Sequence, residues 1–220
     1  MYLQIDNFLT PAEVQSITEL ARQAVFVEGK RSNPHNVTKD SEVADPNDAA
    51  SQQASQIALA AFQRNEVARE FALPRRVAIP SLCRYSVGHK YGPHTDAAFM
   101  NVGQQPLRSD VSCTIFINDP SEFQGGELVA HLGSEMMRFK GNAGSAVFYP
   151  STTVHQVAPV VSGTRLVMIT FIESLIPDQL RRDMLYALNE VRALEALKMD
   201  WRNRTQLDYV IQNLHRMWAK

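Results

Sequence analysis

The chain has 220 residues, of which 45% are hydrophobic and 20% are charged, so it can form one large domain with a buried core. Its 22 basic and 23 acidic residues give a formal net charge of -1, which argues against nucleic acid and an anionic membrane as partners. The two cysteines, Cys83 and Cys113, are too few for a disulfide framework, and we expect both thiols to be buried and reduced.

The N-terminal sequence MYLQIDNF lacks the basic segment and long apolar run of a secretory signal. No later stretch approaches the roughly 18 consecutive apolar residues that a membrane span needs. These features predict a cytoplasmic protein without a membrane anchor.

Helical signals come first along the chain. Thr-Pro-Ala-Glu at residues 10–13 is a capping box that predicts a helix through about Ala24. Residues 28–46 are polar and rich in turn formers, which predicts a loop, and a second helix is predicted over roughly 48–70.

The pattern changes to short strands after Pro74 and returns to helices after Pro177. Runs of β-branched and apolar residues separated by Gly, Pro and Asp predict strands at 77–87, 111–118, 127–132, 145–149 and 165–172. We therefore predict an α+β fold with a mainly β core, a double-stranded β-helix or jelly roll, with N-terminal helices and a helical C-terminal extension. The predicted divisions are a helical flank at 1–76, a core at 77–174 and an extension at 175–220. Packing on the sheet and a homodimer contact both remain open for the C-terminal helices.

Four residues can form one chemical site. In an extended strand, residues two apart point to the same side, so the His94 imidazole and the Asp96 carboxylate face one point. His155 follows a predicted strand, and Arg165 begins an otherwise apolar strand on its apolar face. Two histidines and one carboxylate are the ligand set of non-haem Fe(II) oxygenases. A buried guanidinium needs an anion, which is either a structural Asp or Glu or the carboxylate of a co-substrate.

The segment RYSVGHKYGPHTD at residues 84–96 resembles a segment of the prolyl-4-hydroxylase-like Fe(II)/2-oxoglutarate dioxygenases. The segments GGE at 125–127, GSAVFY at 144–149 and HQVAPV through GTR at 155–165 follow in that family's order. With its Tyr-Leu start and helical C-terminal extension, the chain is most similar to the bacterial PKHD-type hydroxylases, the iron-uptake-associated PiuC/YbiX group.

The resemblance implies specific roles for five residues. His94, Asp96 and His155 would bind Fe(II), Arg165 would bind the distal carboxylate of 2-oxoglutarate, and Tyr85 would hydrogen-bond that co-substrate from the side. It also implies a hydroxylase that uses O2, converts 2-oxoglutarate to succinate, and depends on L-ascorbate (vitamin C) to rescue oxidised iron.

One position departs from the family pattern. Some relatives have a Tyr whose hydroxyl assists the Arg, and the nearest match in this chain is Phe116, which cannot donate a hydrogen bond. Thr114, Thr164 or a water would then assist, or Arg165 would act alone.

Other functions would account for only some of these residues. A zinc-dependent hydrolase can use two His and an Asp, but it gives Arg165 no task, and the chain has no His-Glu-x-x-His helix. A cupin-like oxygenase without 2-oxoglutarate also leaves Arg165 idle. A metal- or siderophore-sensing module without turnover is a further alternative.

The sequence does not identify the substrate, which can be a small molecule or a peptide. The segments 28–46 and 97–110 are candidate lids over the site.

Overall fold

A computed structural model describes residues 1–32, 38–102 and 105–220 of the chain. The helices of this described part lie toward the two ends of the chain: α1 Pro11–Gln23, α2 Ala49–Arg64, α3 Glu66–Ala72, α4 Gln179–Glu195 and α5 Trp201–Trp218. The predicted capping box begins α1, because the Thr10 hydroxyl accepts from the Glu13 amide while the Glu13 carboxylate accepts from the Thr10 amide. None of the described helices combines the length and apolar composition that crossing a bilayer requires.

The strands form two facing sheets and two small hairpin-like pairs. The strands are β1 Leu3–Ile5, β2 Phe26–Glu28, β3 Lys39–Asp40, β4 Glu42–Ala44, β5 Pro74–Val77, β6 Ser81–Tyr85, β7 Lys90–His94, β8 Phe99–Val102, β9 Gln105–Arg108, β10 Val111–Phe116, β11 Phe123–Gly125, β12 Leu128–Leu132, β13 Glu135–Phe139, β14 Ala146–Pro150, β15 His155–Val157, β16 Val160–Gly163 and β17 Arg165–Ser174. The main sheet has the order β1-β14-β10-β17-β6-β4-β2, with β5 also pairing β17. The second sheet has the order β13-β12-β15-β7-β3, and β11–β16 and β8–β9 form the two-stranded pairs.

Strand β17 shows how the two faces of the main sheet are used. Met168 and Ile172 point to one face and join the core that α1, α2 and α3 cover. Val167 and Ile169 point to the other face, into the core between the two sheets. Arg165 has the parity of the second set, so alternation places it between the sheets, as the sequence predicts. The described strand pairs are antiparallel, and the jelly-roll prediction is confirmed.

Three of the predicted elements differ from the structure. The strand predicted over 77–87 is replaced by β5 and β6, which are separated at residues 78–80. The helix predicted over 48–70 is two helices, because the Asn65 backbone leaves the helical region and its side-chain oxygen caps α3 by accepting from the Ala68 amide. The loop predicted over 28–46 contains the short strands β3 and β4. Strand β3 is the edge of the second sheet, and β4 pairs between β6 and the edge strand β2 of the main sheet. Strands of two or three residues are too short to show a hydrophobic pattern, so periodicity does not reveal them.

The candidate lids are only partly described. Residues 33–37 and 103–104 lie outside the described part of the chain, and 97–110 otherwise includes the β8–β9 pair. The lid function and the three predicted divisions of the chain remain predictions. Cys83 and Cys113 are buried and free, in agreement with the sequence.

The C-terminal helices have two different faces. Leu185 of α4 and Ile211 of α5 are buried in a small core with Ile176. The opposite face of α4 exposes apolar side chains, namely Leu180, Met184, Val191 and Leu194. The homodimer remains a prediction.

Candidate metal and co-substrate site

The structure brings the three predicted metal-binding residues together. His94 ends β7 and His155 begins β15, and these two residues are directly opposite each other in the antiparallel pair. Asp96 follows β7 by two residues. One ligand atom from each of the three side chains can be chosen so that all lie within 4.8 Å of one another. This is a donor set that fits a divalent transition metal.

Backbone carbonyls orient both imidazole rings. The His94 Nδ1 lies 2.8 Å from the Gly92 carbonyl oxygen, and the His155 Nδ1 lies 2.9 Å from the Thr153 carbonyl oxygen. A carbonyl only accepts, so each Nδ1 carries a proton, and in the neutral ring Nε2 is then the nitrogen with a free lone pair. Burial lowers the pKa of His94 to about 4, which keeps this ring neutral near pH 7. The neutral form of each ring therefore has the tautomer that metal binding requires.

Asp96 is held by two serines that the sequence analysis did not identify. The Ser112 hydroxyl donates to Asp96 Oδ2 at 2.5 Å, and the Ser151 hydroxyl lies 2.7 Å from the Ser112 oxygen. The other carboxylate oxygen, Oδ1, lies 3.8 Å from His155 Nε2. Burial raises the pKa of Asp96, and the neighbouring His155 and the Ser112 hydrogen bond oppose that rise. Ser112 therefore occupies one oxygen and leaves the other facing the histidines.

Arg165 is buried, and Glu127, whose charge acts on it, forms no ion pair with it. The Arg165 side chain is 1% exposed, and within the described part of the chain its Nε has no hydrogen-bond partner and no carboxylate lies within ion-pair distance. The guanidinium carbon lies 4.9 Å from the centroid of the Tyr85 ring, which is paired opposite it on β6. Burial lowers the pKa of Arg165. Because burying an uncompensated guanidinium is costly, an anionic ligand explains this arrangement better than a structural ion pair.

The structure places the three residues considered for the role of the family's assisting tyrosine, Phe116, Thr164 and Thr114. Phe116 is buried against Gly141, in the core between the sheets, and does not line the pocket. Thr164 is exposed, whereas Thr114 lines the pocket with Tyr149. Burial raises the pKa of Tyr149, and Thr114 and Arg165 oppose that rise. Tyr149 was missed because it lies in an apolar run where a tyrosine is also an ordinary core residue.

These residues share one pocket between the two sheets. The second sheet contributes His94 and His155, and the segment that follows β7 contributes Asp96. The main sheet contributes Arg165 and Tyr85. A separate groove of about 630 Å³ beside α2 has Asp45 as its single ionisable lining residue. The ionisable groups therefore mark the pocket between the sheets as the candidate site.

Comparison with known proteins identifies the family of the chain. Residues 80–173 match the model of the 2OG-Fe(II) oxygenase superfamily. A PKHD-type hydroxylase of Sphingopyxis alaskensis is 45% identical over 94% of both chains, and one of Thermosynechococcus vestitus is 38% identical over the full length of both.

Solved structures share the fold at low sequence identity. A Pseudomonas putida prolyl-4-hydroxylase superposes with a TM-score of 0.56 at 18% identity, covering 79% of this chain and 92% of that one. A Trichoplax adhaerens prolyl hydroxylase in complex with a hypoxia inducible factor peptide gives a TM-score of 0.57 at 16% identity, covering 79% and 83%. With the full-length relatives, these findings show that the chain belongs to the PKHD-type hydroxylases of the 2OG-Fe(II) oxygenase superfamily, enzymes that use Fe(II) and 2-oxoglutarate.

Proposed function

We propose that His94, Asp96 and His155 hold Fe(II), and that Arg165 binds the distal carboxylate of 2-oxoglutarate in the same pocket. The observation that carries this proposal is the combination of a two-histidine, one-carboxylate cluster with a buried guanidinium whose Nε has no partner in the described chain. When bound, Fe(II) supplies the activation of O2 that couples conversion of 2-oxoglutarate to succinate with hydroxylation of the substrate.

The protein's own groups fix the reactants and exclude water. The two carbonyl contacts hold the imidazole rings, and Ser112 holds the carboxylate, so the ligand set is formed before the metal arrives. A guanidinium donates two parallel hydrogen bonds to a carboxylate, which orients a dicarboxylate along the pocket. Leu128, Val157 and Ile169 provide the apolar part of the lining.

Tyr85 is proposed to support the co-substrate in two ways. Its ring lies beside the Arg165 guanidinium, and its phenol, kept protonated by a pKa that burial raises, can donate a hydrogen bond to a carboxylate. L-ascorbate is proposed as a reductant on the basis of the family resemblance alone.

The substrate is proposed only as a class, a small molecule or a peptidyl group. Solved proteins with this fold are described with a hypoxia inducible factor peptide fragment in one case and with hygromycin B in another, so the fold accommodates both classes. A siderophore substrate and a link to iron uptake are proposals that rest on the similarity to the PKHD-type group.

Arg165 separates the oxygenase from the alternatives. A zinc hydrolase or a sensing module would use the two histidines and Asp96 but would leave a buried guanidinium without an anion. The 2-oxoglutarate carboxylate supplies that anion, which favours the oxygenase.

The test is to incubate the protein with Fe(II), O2 and 2-oxoglutarate and to measure succinate. We expect iron-dependent succinate formation that the Asp96→Ala variant and the zinc-loaded protein lack. Succinate no higher than that of Asp96→Ala, with hydrolysis of model esters by the zinc-loaded protein, would contradict the proposal and favour the hydrolase.

A further inference from the structure

Lys39 is a second buried cation in the candidate site. It belongs to the short strand β3, where it is paired opposite Tyr91 of β7, and its side chain is 8% exposed. It lines the same pocket as the histidines, Asp96 and Arg165. No sequence pattern marks Lys39, because it lies in the segment 28–46, which is predicted to be a loop.

The Lys39 ammonium lies at the metal end of this pocket. Its nitrogen is 5.1 Å from the centroid of the Tyr91 ring. The Tyr91 ring in turn stacks on the His94 imidazole, with 3.6 Å between the ring centroids and an interplanar angle of 16°. Lys39 and the metal-binding His94 imidazole therefore both lie against the Tyr91 ring.

Two buried cations face the pocket from different sheets. Lys39 comes from the edge of the second sheet and Arg165 from the main sheet, and the Cys83 thiol feels the positive charge of both. Burial lowers the pKa of Lys39, and the charge of Asp96 opposes this effect. A desolvated ammonium in a ligand pocket is most stable beside an anion, and it binds as a point charge without the fork geometry of an Arg.

We propose that Lys39 is an anion-binding residue that takes a carboxylate at the metal end of the pocket, opposite the carboxylate held by Arg165. This inference rests on the proposed function of the pocket. The carboxylate can come from the near end of 2-oxoglutarate or from an acidic group of the substrate, and the two sources give different results below.

The variants separate charge from bulk. Lys39→Met removes the charge and keeps an unbranched stem of similar length, and Lys39→Arg keeps the charge. Lys90→Met is the matched control, because Lys90 is an exposed lysine on β7, next to Tyr91. Arg165→Met reports on the other end of the pocket, and thermal melting of each variant verifies that it folds.

The first experiment measures binding to the metal-free protein by calorimetry, so it does not depend on turnover. The probes are 2-oxoglutarate, which has two carboxylates, and pentanoate, which has one. If Lys39 binds the near carboxylate, Lys39→Met weakens 2-oxoglutarate binding by about tenfold or more and leaves pentanoate unchanged. Lys39→Arg then recovers part of the loss, and Lys90→Met behaves as the parent.

The second experiment adds acetate to protein saturated with Mn(II) and 2-oxoglutarate. Saturable acetate binding that Lys39→Met abolishes, with unchanged affinity for 2-oxoglutarate, would assign Lys39 to an acidic group of the substrate. If Lys39→Met changes neither binding, the inference is wrong. If Arg165→Met also leaves 2-oxoglutarate affinity unchanged, the proposed function of the pocket fails as well, so the two failures are distinguishable.

Discussion

The two sheets of the jelly roll build their halves of the pocket in different ways. In the main sheet, β17 pairs with β10 over six consecutive positions, from Val111 opposite Ile172 to Phe116 opposite Val167. In the second sheet, β15 and β7 are short, and their register shifts between His155 and Val157. Arg165 and Tyr85 thus form the end pair of a regular ladder between β17 and β6, whereas the metal-binding residues lie at or just beyond the ends of two short strands with an irregular register.

This difference shows how each half keeps its geometry. Backbone pairing alone places Arg165 opposite Tyr85 in the main sheet. The irregular pairing of β7 and β15 is supplemented by other contacts, because carbonyls fix both imidazoles and a hydroxyl fixes the carboxylate. That hydroxyl belongs to Ser112 of β10, so the main sheet also supports the metal-binding half. Four substitutions test this division.

His155→Ala should have the largest effect and should act on the metal. Loss of one of three ligands should weaken Mn(II) or Fe(II) binding by more than about a hundredfold and abolish turnover, because even outer contacts of metal ligands contribute about 10- to 100-fold. His131→Ala is the control, because His131 lies on the neighbouring strand β12 outside the cluster. Metal affinity measured by calorimetry and retained in His155→Ala would remove His155 from the site.

Arg165→Met should weaken 2-oxoglutarate binding without weakening metal binding. Metal binding should be retained, and the KM for 2-oxoglutarate should rise by about a hundredfold or more, because two charge-assisted hydrogen bonds of about 1.5–3 kcal/mol each are lost. Arg84→Met is the control, since Arg84 is the next residue to Tyr85 and forms its bidentate pair with Glu42 instead. An unchanged KM would overturn the assignment of Arg165.

Ser112→Ala tests the contact between the sheets and should have an intermediate effect. Without its hydrogen bond, Asp96 is free to rotate, and metal affinity should fall by about tenfold. The optical spectrum of the Co(II)-substituted protein should change as well, which a general loss of stability would not cause. Ser151→Ala, one hydrogen bond farther from Asp96, should have a smaller effect. Equal metal affinity in Ser112→Ala and the parent would show that Asp96 needs no such support.

Tyr85→Phe should have the smallest effect. The phenylalanine keeps the ring beside Arg165 and removes only the hydroxyl, so the KM for 2-oxoglutarate should rise about two- to tenfold, equivalent to one neutral hydrogen bond of about 0.5–1.5 kcal/mol. Metal affinity should be unchanged. A normal KM would limit Tyr85 to packing beneath the guanidinium.

The site residues that could be predicted from the sequence are those whose charge or spacing distinguishes them from their neighbours. Arg165 stands out in an apolar strand, and His94 and Asp96 have strand spacing, so alternation alone is informative. Lys39, Ser112 and Tyr149 could not be found in this way. Lys39 lies on a strand of two residues, and a serine or tyrosine within a buried run has no pattern that distinguishes a role in the site from packing.

Helix boundaries, too, could be predicted only where a local sequence pattern marks them. The capping box at the start of α1 was identified because its two hydrogen bonds are local. The break at Asn65 was missed because the apolar face continues through it, and only the backbone conformation shows that Asn65 ends α2 and caps α3.

The central claim is that Fe(II) and 2-oxoglutarate meet in the pocket between the sheets. The most direct measurement adds Fe(II) and then 2-oxoglutarate to the protein without oxygen and records visible absorption. We predict a weak metal-to-ligand charge-transfer band that needs both additions and is lost in His155→Ala. No band in the parent protein, with zinc retained tightly in its place, would contradict the claim and favour the hydrolase or the sensing module.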